Sequence, residues 1–71
     1  MSWNYRIVEY SNGSGAGLHE VQYDKNNQAI SMTAKPAVFI GDTAEEVRAA
    51  LLRARMDSAR RPVFIEPADW V

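Results

Sequence analysis

Cysteine is absent from this 71-residue chain, and histidine occurs only once. Without cysteine the chain can form neither a disulfide bond nor a thiolate metal site, so we predict a protein of the reducing cytoplasm. The lone histidine, His19, has no second histidine with which to hold a metal ion. No run approaches the roughly 18 apolar residues of a membrane span, and the N-terminus lacks the layout of a signal peptide. We therefore expect no membrane association, no metal and no cofactor.

Neither sign of charge is in excess, since 8 basic residues stand against 9 acidic ones. Nucleic-acid-binding proteins usually carry a strong basic excess, and mimics of nucleic acid carry a strong acidic one. A nucleic-acid partner is therefore not expected. The length and the 46% content of hydrophobic residues predict one small domain, residues 1–71, with a thin core.

Residues 41–62 carry the clearest structural signal, because their hydrophobic periodicity, the capping residues at their start and the proline at their end all indicate a helix. Thr43 is the predicted N-cap, and Glu45 or Glu46 completes a capping box. Pro62 is expected to end the helix. The predicted core face consists of Ala44, Val47, Leu51, Ala54 and Ser58. The predicted solvated face consists of Glu46, Arg53 and Asp57.

A third stripe of this helix mixes apolar and basic side chains. Its members are Arg48, Leu52, Arg55 and Ala59, and Met56 lies beside them. Arg48 has Glu45 three residues back, whereas Arg55 has no acidic neighbour at helical spacing. Arginine and methionine are enriched at protein interfaces, so the stripe indicates a protein-binding surface. The alternative is that Leu52 and Met56 pack under a loop.

Three segments before the helix alternate in the manner of half-buried strands, namely residues 3–10, 18–24 and 28–33. Their predicted core-facing side chains are Trp3, Tyr5 and Ile7, then His19, Val21 and Tyr23, then Ile30 and Met32. Asn27 is expected to take the left-handed conformation in the second turn. Arg6 is expected to stand exposed in mid-strand on the open sheet face, paired across strands with Glu20.

The remaining segments complete the expected architecture. Residues 37–40 are predicted to pack under the helix or to add a short edge segment, and residues 63–65 to form a fourth strand. Pro67 prevents the tail from being a regular central strand. The sequence thus predicts an α+β fold, in which a three- to four-stranded antiparallel meander carries one amphipathic helix packed on one face.

No reactive group of residues can be recognised in the sequence. Residues 11–17, SNGSGAG, have the spacing GxGxG before a strand, whereas a dinucleotide-binding loop needs GxGxxG before a helix. The serines of this segment have no histidine close in sequence, and His19 in a strand does not establish a catalytic triad. Alternation on an exposed sheet face accounts for the acidic residues Glu9, Glu20 and Asp24. The chain is therefore not expected to be an enzyme.

Four motifs extend over most of the chain: WxYRI at 3–7, HEVxYD at 19–24, GDTxEE at 41–46 and RPVF at 61–64. In this combination the sequence resembles a family of small, mostly uncharacterised proteins of proteobacteria and of their phages and mobile elements. Members usually have DxxG at the hairpin turn, where this sequence has Asn27. By analogy of size and origin, the resemblance implies an inhibitor of host defence, and anti-CRISPR proteins are the best-known examples.

The resemblance implies a larger host protein as partner, such as a Cas subunit of a CRISPR surveillance complex. Binding would block access for nucleic acid or a nuclease without any catalysis. Arginine and tryptophan most often anchor interfaces, so the expected contact residues are Arg6, Arg48, Leu52, Arg55, Met56 and Trp70. The alternatives are a nucleic-acid-binding protein or a self-associating regulatory protein, and the sequence leaves monomer and homodimer open.

Overall fold

Four strands, one α-helix and one 3-10 turn make up residues 2–70, the part of the chain that the computed structural model describes. In chain order they are β1 (Ser2–Glu9), β2 (Ala16–Tyr23), β3 (Ala29–Met32), α1 (Ala44–Arg60), β4 (Phe64–Ile65) and the 3-10 turn (Ala68–Trp70). The strands form one sheet in the order β3-β2-β1-β4. The predicted α+β fold of a small sheet and one helix is confirmed.

The β1–β2 hairpin forms the centre of the sheet, and its loop is held by hydrogen bonds. The Tyr10 amide donates to the Gly15 carbonyl at 2.9 Å, and the Ser14 amide donates to the Asn12 side chain at 2.9 Å. Gly13 and Gly15 have φ angles of 77° and 118°, which side chains disfavour. The alternation of glycine with small residues therefore serves the geometry of a turn.

The turn between β2 and β3 follows the sequence prediction at Asn27, whose φ of 63° is left-handed. The Asp24 carboxylate accepts from the amides of Asn26 and Gln28 and so fixes the turn. A bulge follows, because Tyr23 pairs with Ala29 while the preceding residue of β2 pairs with Ser31. Ile30 is the extra residue and is exposed, so the prediction that Ile30 faces the core is wrong.

β4 lies at the edge opposite β3 and runs parallel to β1, with Val8 opposite Phe64 and Glu9 opposite Ile65. The predicted antiparallel meander is correct for β1, β2 and β3 but wrong for this strand. β3 and β1 run in the same direction, since each is antiparallel to β2. The connection from β3 to β4 contains the 17-residue helix in place of a tight turn, and a connection of that length joins parallel strands, so β4 runs in the same direction as β3 and β1 beside the last two residues of β1.

The buried core lies on the sheet face that carries Val8, Val21 and Tyr23. Partly buried side chains packed against it are Tyr10, Ala29, Met32 and Phe64. The inward orientation predicted for His19, Val21 and Tyr23 is confirmed, since each is buried.

The face predicted for β1 is wrong. Trp3 and Ile7 were expected in the core, yet each is more than one third exposed, whereas Val8 is completely buried. The register explains the reversal, because Val8 lies opposite Gly17 and Asn4 opposite Val21. The even-numbered residues of β1 therefore share the buried face of β2.

The start and end of α1 agree with the sequence. The Thr43 hydroxyl accepts from the Glu46 amide at 3.2 Å, which confirms the predicted N-cap. The Glu46 carboxylate in turn accepts from the Asp42 amide at 2.8 Å, so a second free amide is satisfied. At the other end, Arg61 is extended before Pro62, as expected of a residue that precedes proline.

The helix packs against the face of β1 that carries Trp3 and Tyr5, opposite the buried core. The Arg53 guanidinium lies 4.0 Å from the centre of the Trp3 ring. The Asp57 carboxylate accepts a hydrogen bond of 3.2 Å from the Tyr5 amide. Glu46 and Arg53 are exposed as predicted, although Arg53 also covers the Trp3 ring. The prediction of a solvated position is wrong for Asp57, whose side chain is only 15% exposed.

The core face of α1 is also rotated from its predicted position. Ala54 is buried as expected, but Leu51 is 48% exposed and Ala44 is exposed. Val47 and Ser58 are half-buried in agreement with the prediction, and Ala50 and Asp57 are half-buried in addition. The face toward the sheet is therefore rotated by less than the 100° that separates neighbouring residues of a helix. The aromatic rings of β1 fill the space beneath the helix, so small residues of α1 lie opposite them.

Residues 37–40 begin beside β2, where the Ala37 amide donates a hydrogen bond of 2.7 Å to the Leu18 carbonyl. The Phe39 ring then packs 5.6 Å from that of Tyr5. Val38 and Ile40 are exposed, so only part of this segment packs as expected. Within residues 2–70, no helix is long and apolar enough to cross a membrane.

Candidate protein-binding surface

Four of the six predicted contact residues lie together on the outer face of α1. Leu52 is 60% exposed and Met56 is 51% exposed, and Arg48 and Arg55 are exposed beside them. Separations of three and four residues place these side chains next to one another on a helix. The alternative, in which Leu52 and Met56 pack under a loop, is not what the structure shows.

Leu51 belongs to the same face, although the sequence pattern assigned it to the core. It lies four residues before Arg55 and three after Arg48, and about half of its surface is exposed. We use the name α1 surface for Arg48, Leu51, Leu52, Arg55 and Met56. The alanines at positions 50 and 54 were the available signal for this placement. Such a pair of small residues, one turn apart, suits close contact with the large rings of β1.

The two arginines of the α1 surface differ in their partners. Arg48 donates to the Glu45 carboxylate at 2.7 Å, and both side chains are more than 70% exposed. Such an exposed ion pair contributes little to stability. The Arg55 side chain makes no salt bridge and no hydrogen bond with any residue of the described chain. Its charge is therefore available to an external acidic group.

Arg6 is not the exposed side chain that the sequence predicts. Its Nε donates to the Pro62 carbonyl at 3.0 Å, and its Nη1 donates to the Tyr23 hydroxyl at 3.4 Å. The guanidinium also lies 4.9 Å from the centre of the Phe64 ring. The expected cross-strand pair with Glu20 does not form, because the residue opposite Arg6 is His19. Arg6 thus stabilises the junction between β1 and β4.

Trp70 is half-buried in the 3-10 turn, with its ring 5.4 Å from that of Phe64. It therefore lies on a different part of the molecule from the α1 surface. It lines a groove of about 530 Å³ that runs along β3. The six predicted contact residues thus divide into the α1 surface, a structural arginine and a tryptophan beside a separate groove.

His19 is a buried polar residue that is hydrogen-bonded to two half-buried residues, Tyr10 and Thr33. Its Nδ1 lies 2.9 Å from the Thr33 carbonyl oxygen, which can only accept, so Nδ1 carries the proton. In the neutral ring Nε2 is then an acceptor, and the Tyr10 hydroxyl donates to it at 2.7 Å. Both nitrogens are engaged and the side chain is buried, so the geometry is that of a structural histidine.

Glu66 is a second buried polar residue, and the sequence pattern gave no sign of it. Only 8% of its surface is exposed. One carboxylate oxygen, Oε1, accepts from both the amide and the hydroxyl of Ser11, at 3.0 and 2.9 Å. These bonds connect the segment after β4 to the β1–β2 loop. Within residues 2–70, no three His, Cys, Asp or Glu side chains lie close enough to hold a metal ion.

A scan against protein-family models, a search of curated proteins and a search of solved structures each find no match. Function is therefore inferred from exposure, charge and hydrogen bonding in the chain itself.

Proposed function

We propose that this protein acts by binding a larger protein through the α1 surface, without catalysing a reaction. The observation that carries the proposal is the exposure of Leu51, Leu52 and Met56, each about half or more, around the unpaired charge of Arg55. Burying these side chains against a partner would remove apolar surface from water, at about 25 cal/mol for each Å². Arg55 would supply the specificity of a charged contact.

The same features define the partner by its chemistry. It presents an apolar depression that receives Leu52 and Met56, and an acidic group at the rim that pairs with Arg55. Arginine and methionine are among the residues enriched at interfaces, which supports a protein partner over a nucleic acid. The effect of binding is steric, since a small rigid domain on a functional surface prevents other molecules from reaching it.

For the identity of the partner, we propose a subunit of a CRISPR surveillance complex. The resemblance of the four sequence motifs to small proteins of phages and mobile elements supports this choice. The proposed activity is that of an anti-CRISPR inhibitor that blocks access of nucleic acid or of a nuclease to the complex.

The test is co-purification of the tagged protein with Cas subunits from a bacterium that has an active CRISPR system, followed by titration of the purified complex. We expect binding in a defined stoichiometry. Arg55→Glu is expected to weaken binding at least tenfold, because it replaces an attractive charge by a repulsive one at a desolvated contact. Leu52→Ser is expected to weaken it by a similar factor through loss of apolar contact.

Lys25→Glu is the matched control, since it imposes the same change of charge in the exposed turn after β2. It is expected to bind as the wild type does, and all three variants are expected to keep the thermal stability of the wild type. Failure to recover Cas subunits would refute the proposed partner. Equal binding by Arg55→Glu and Lys25→Glu would refute the α1 surface as the contact.

Two other functions make different predictions. A nucleic-acid-binding protein would show affinity that falls steeply with salt, and absence of binding in an electrophoretic assay would exclude it. Arg6, the basic side chain expected on the open sheet face, is engaged by Pro62 and Tyr23 and is not free to contact a nucleic acid. A symmetric dimer through the α1 surface would be detected by light scattering at two protein concentrations.

A further inference from the structure

A groove lies between β3 and the 3-10 turn, on the part of the molecule that the α1 surface does not use. Its volume is about 530 Å³. It is lined by Ile30, Ser31, Met32, Thr33, Ala34, Glu66 and Trp70. Most of this lining is apolar, no basic side chain contributes to it, and Glu66 is its acidic member.

One wall of the groove is the free edge of β3. The Thr33 amide donates to the Glu20 carbonyl at 3.0 Å, so the backbone of Thr33 faces β2. Alternation in an antiparallel ladder then directs the amide and carbonyl of Met32 away from β2. β3 is the last strand of the sheet on this side, and it carries no charged residue or proline that would discourage pairing. Lys35 and Pro36 limit the usable edge to a few residues.

The floor of the groove contains the Glu66 carboxylate, one oxygen of which accepts no hydrogen bond from residues 2–70. Glu66 uses Oε1 for both hydrogen bonds from Ser11, and Oε2 accepts none from the residues described. Within residues 2–70, every fully buried side-chain oxygen or nitrogen has a hydrogen-bond partner. Oε2 therefore keeps contact with solvent although the residue as a whole is 8% exposed. A largely buried carboxylate without a basic partner attracts a cation, because little water screens its charge.

Trp70 completes a site for a cationic group. Its indole ring lines the same groove as Glu66 and can contact the stem of a long side chain or the charge itself. Lysine and arginine combine such a stem with a positive head. The free edge supplies backbone donors and acceptors for a main chain lying beside the pocket.

We propose that this groove binds a short extended peptide that pairs with the edge of β3 and places a lysine or arginine side chain against Glu66 and Trp70. Pairing of an added strand with a sheet edge provides affinity, and the pocket beside it provides specificity. The site is independent of the α1 surface, so the protein would hold two partners, or two parts of one partner, at once.

The proposal is tested by titrating the 15N-labelled protein with the capped peptide acetyl-TVKVT-amide and following its NMR spectrum. We expect saturable shifts of the Met32 and Ala34 amides and of the Trp70 indole N–H. A peptide with norleucine in place of lysine is expected to bind about tenfold more weakly, since it lacks the charge-assisted contact. n-Butylamine is expected to shift the Trp70 signal alone, because it has no main chain to pair with β3.

Glu66→Gln is the informative variant, because its amide oxygen can still accept from Ser11 while the charge is removed. We expect it to lower the affinity for the lysine peptide about tenfold and to abolish the preference over norleucine. Glu9→Gln is the control, as it removes the same charge from an exposed position on β1. Trp70→Leu keeps an apolar wall without the ring and is expected to weaken the lysine peptide as well.

Three results would overturn the proposal. The first is the absence of saturable shifts at β3 and Trp70 with either peptide. The second is equal affinity of Glu66→Gln and Glu9→Gln for the lysine peptide. The third is β3 shifts that depend on protein concentration alone, which would assign the edge to a second copy of the chain. Saturable shifts confined to the amide signals of α1 would also overturn the proposal, because they would place the peptide outside the groove.

Discussion

The contact between Asp57 and the Tyr5 amide gives the sharpest test of how the helix is fixed to the sheet. The pairing of β4 with β1 is confined to Val8 and Glu9, so the outer side of β1 at Tyr5 has no strand beside it. The Asp57 carboxylate accepts from the Tyr5 amide at 3.2 Å, and its side chain is only 15% exposed. Asp57→Ala would leave this partly buried amide without a partner.

The expected loss follows from the geometry. A hydrogen bond to a charged group contributes about 1.5–3 kcal/mol, and a length of 3.2 Å is at the long end of the range, which favours the lower part of that interval. The ion pair of Asp57 with Arg53, at 3.5 Å and half-exposed, adds a few tenths of a kcal/mol. We therefore expect Asp57→Ala to lower the free energy of unfolding by about 2 kcal/mol. The melting temperature should fall by roughly 8–15 °C.

The assay is urea unfolding followed by tryptophan fluorescence, with thermal unfolding by circular dichroism as a second measurement. Asp57→Asn keeps an oxygen acceptor without the charge. We expect it to lower the free energy of unfolding by about half as much as Asp57→Ala does. The control is Asp69→Ala, an exposed carboxylate without a hydrogen-bond acceptor role in the structure, which should change the stability by less than about 0.5 kcal/mol. If Asp57→Ala changed the stability no more than Asp69→Ala, the link between α1 and β1 would be wrong.

Two further substitutions address single hydrogen bonds. Tyr10→Phe removes the hydroxyl that donates to Nε2 of His19 and leaves a buried acceptor unpaired, so urea unfolding should show a loss of about 1–3 kcal/mol. A loss below about 0.5 kcal/mol would show that water or another group replaces the hydroxyl. Thr43→Ala removes the N-cap of α1 and should cost about 1 kcal/mol, whereas Thr43→Ser should keep most of the stability. Equal stability of these two variants in urea would exclude a capping role for the hydroxyl.

The parts of the fold predicted correctly depend on neighbouring residues in the sequence. Thr43 and Glu46 define the start of the helix by their spacing alone. Asn27 takes the left-handed conformation of the turn, which asparagine tolerates better than most other residues. Alternation in β2 is clear over its second half, since one side carries His19, Val21 and Tyr23 and the other carries Glu20 and Gln22.

The errors arise where two elements had to be combined. β1 has large apolar or aromatic residues at both odd and even positions, so only its register with β2 decides that Val8 is buried and Trp3 is not. The rotation of α1 likewise depends on the rings of β1 beneath it. That rotation moves Asp57 toward the sheet and Leu51 to the surface.

The candidate sites also divide into features set by neighbouring residues and features set by contacts between distant elements. The outer stripe of α1 could be predicted because helical periodicity places Arg48, Leu52, Arg55 and Met56 together. Glu66 could not, since its burial depends on the pairing of β4 with β1 and on the loop that contains Ser11. Arg6 was misplaced for the same reason, because its acceptor, the Pro62 carbonyl, lies 56 residues away in the chain.

The parallel pairing of β1 with β4 sets an order for the assembly of the chain during synthesis. β1, β2 and β3 are joined by short turns and can pair while the helix is still being made. The outer side of β1 then remains uncovered until residues 57–66 have left the ribosome, because they contain both Asp57 and β4. During that interval the nascent meander has two free edges, where the finished protein has β3 and a two-residue β4. The segment that contains Asp57 and β4 emerges after the meander and therefore protects β1 from pairing with other chains.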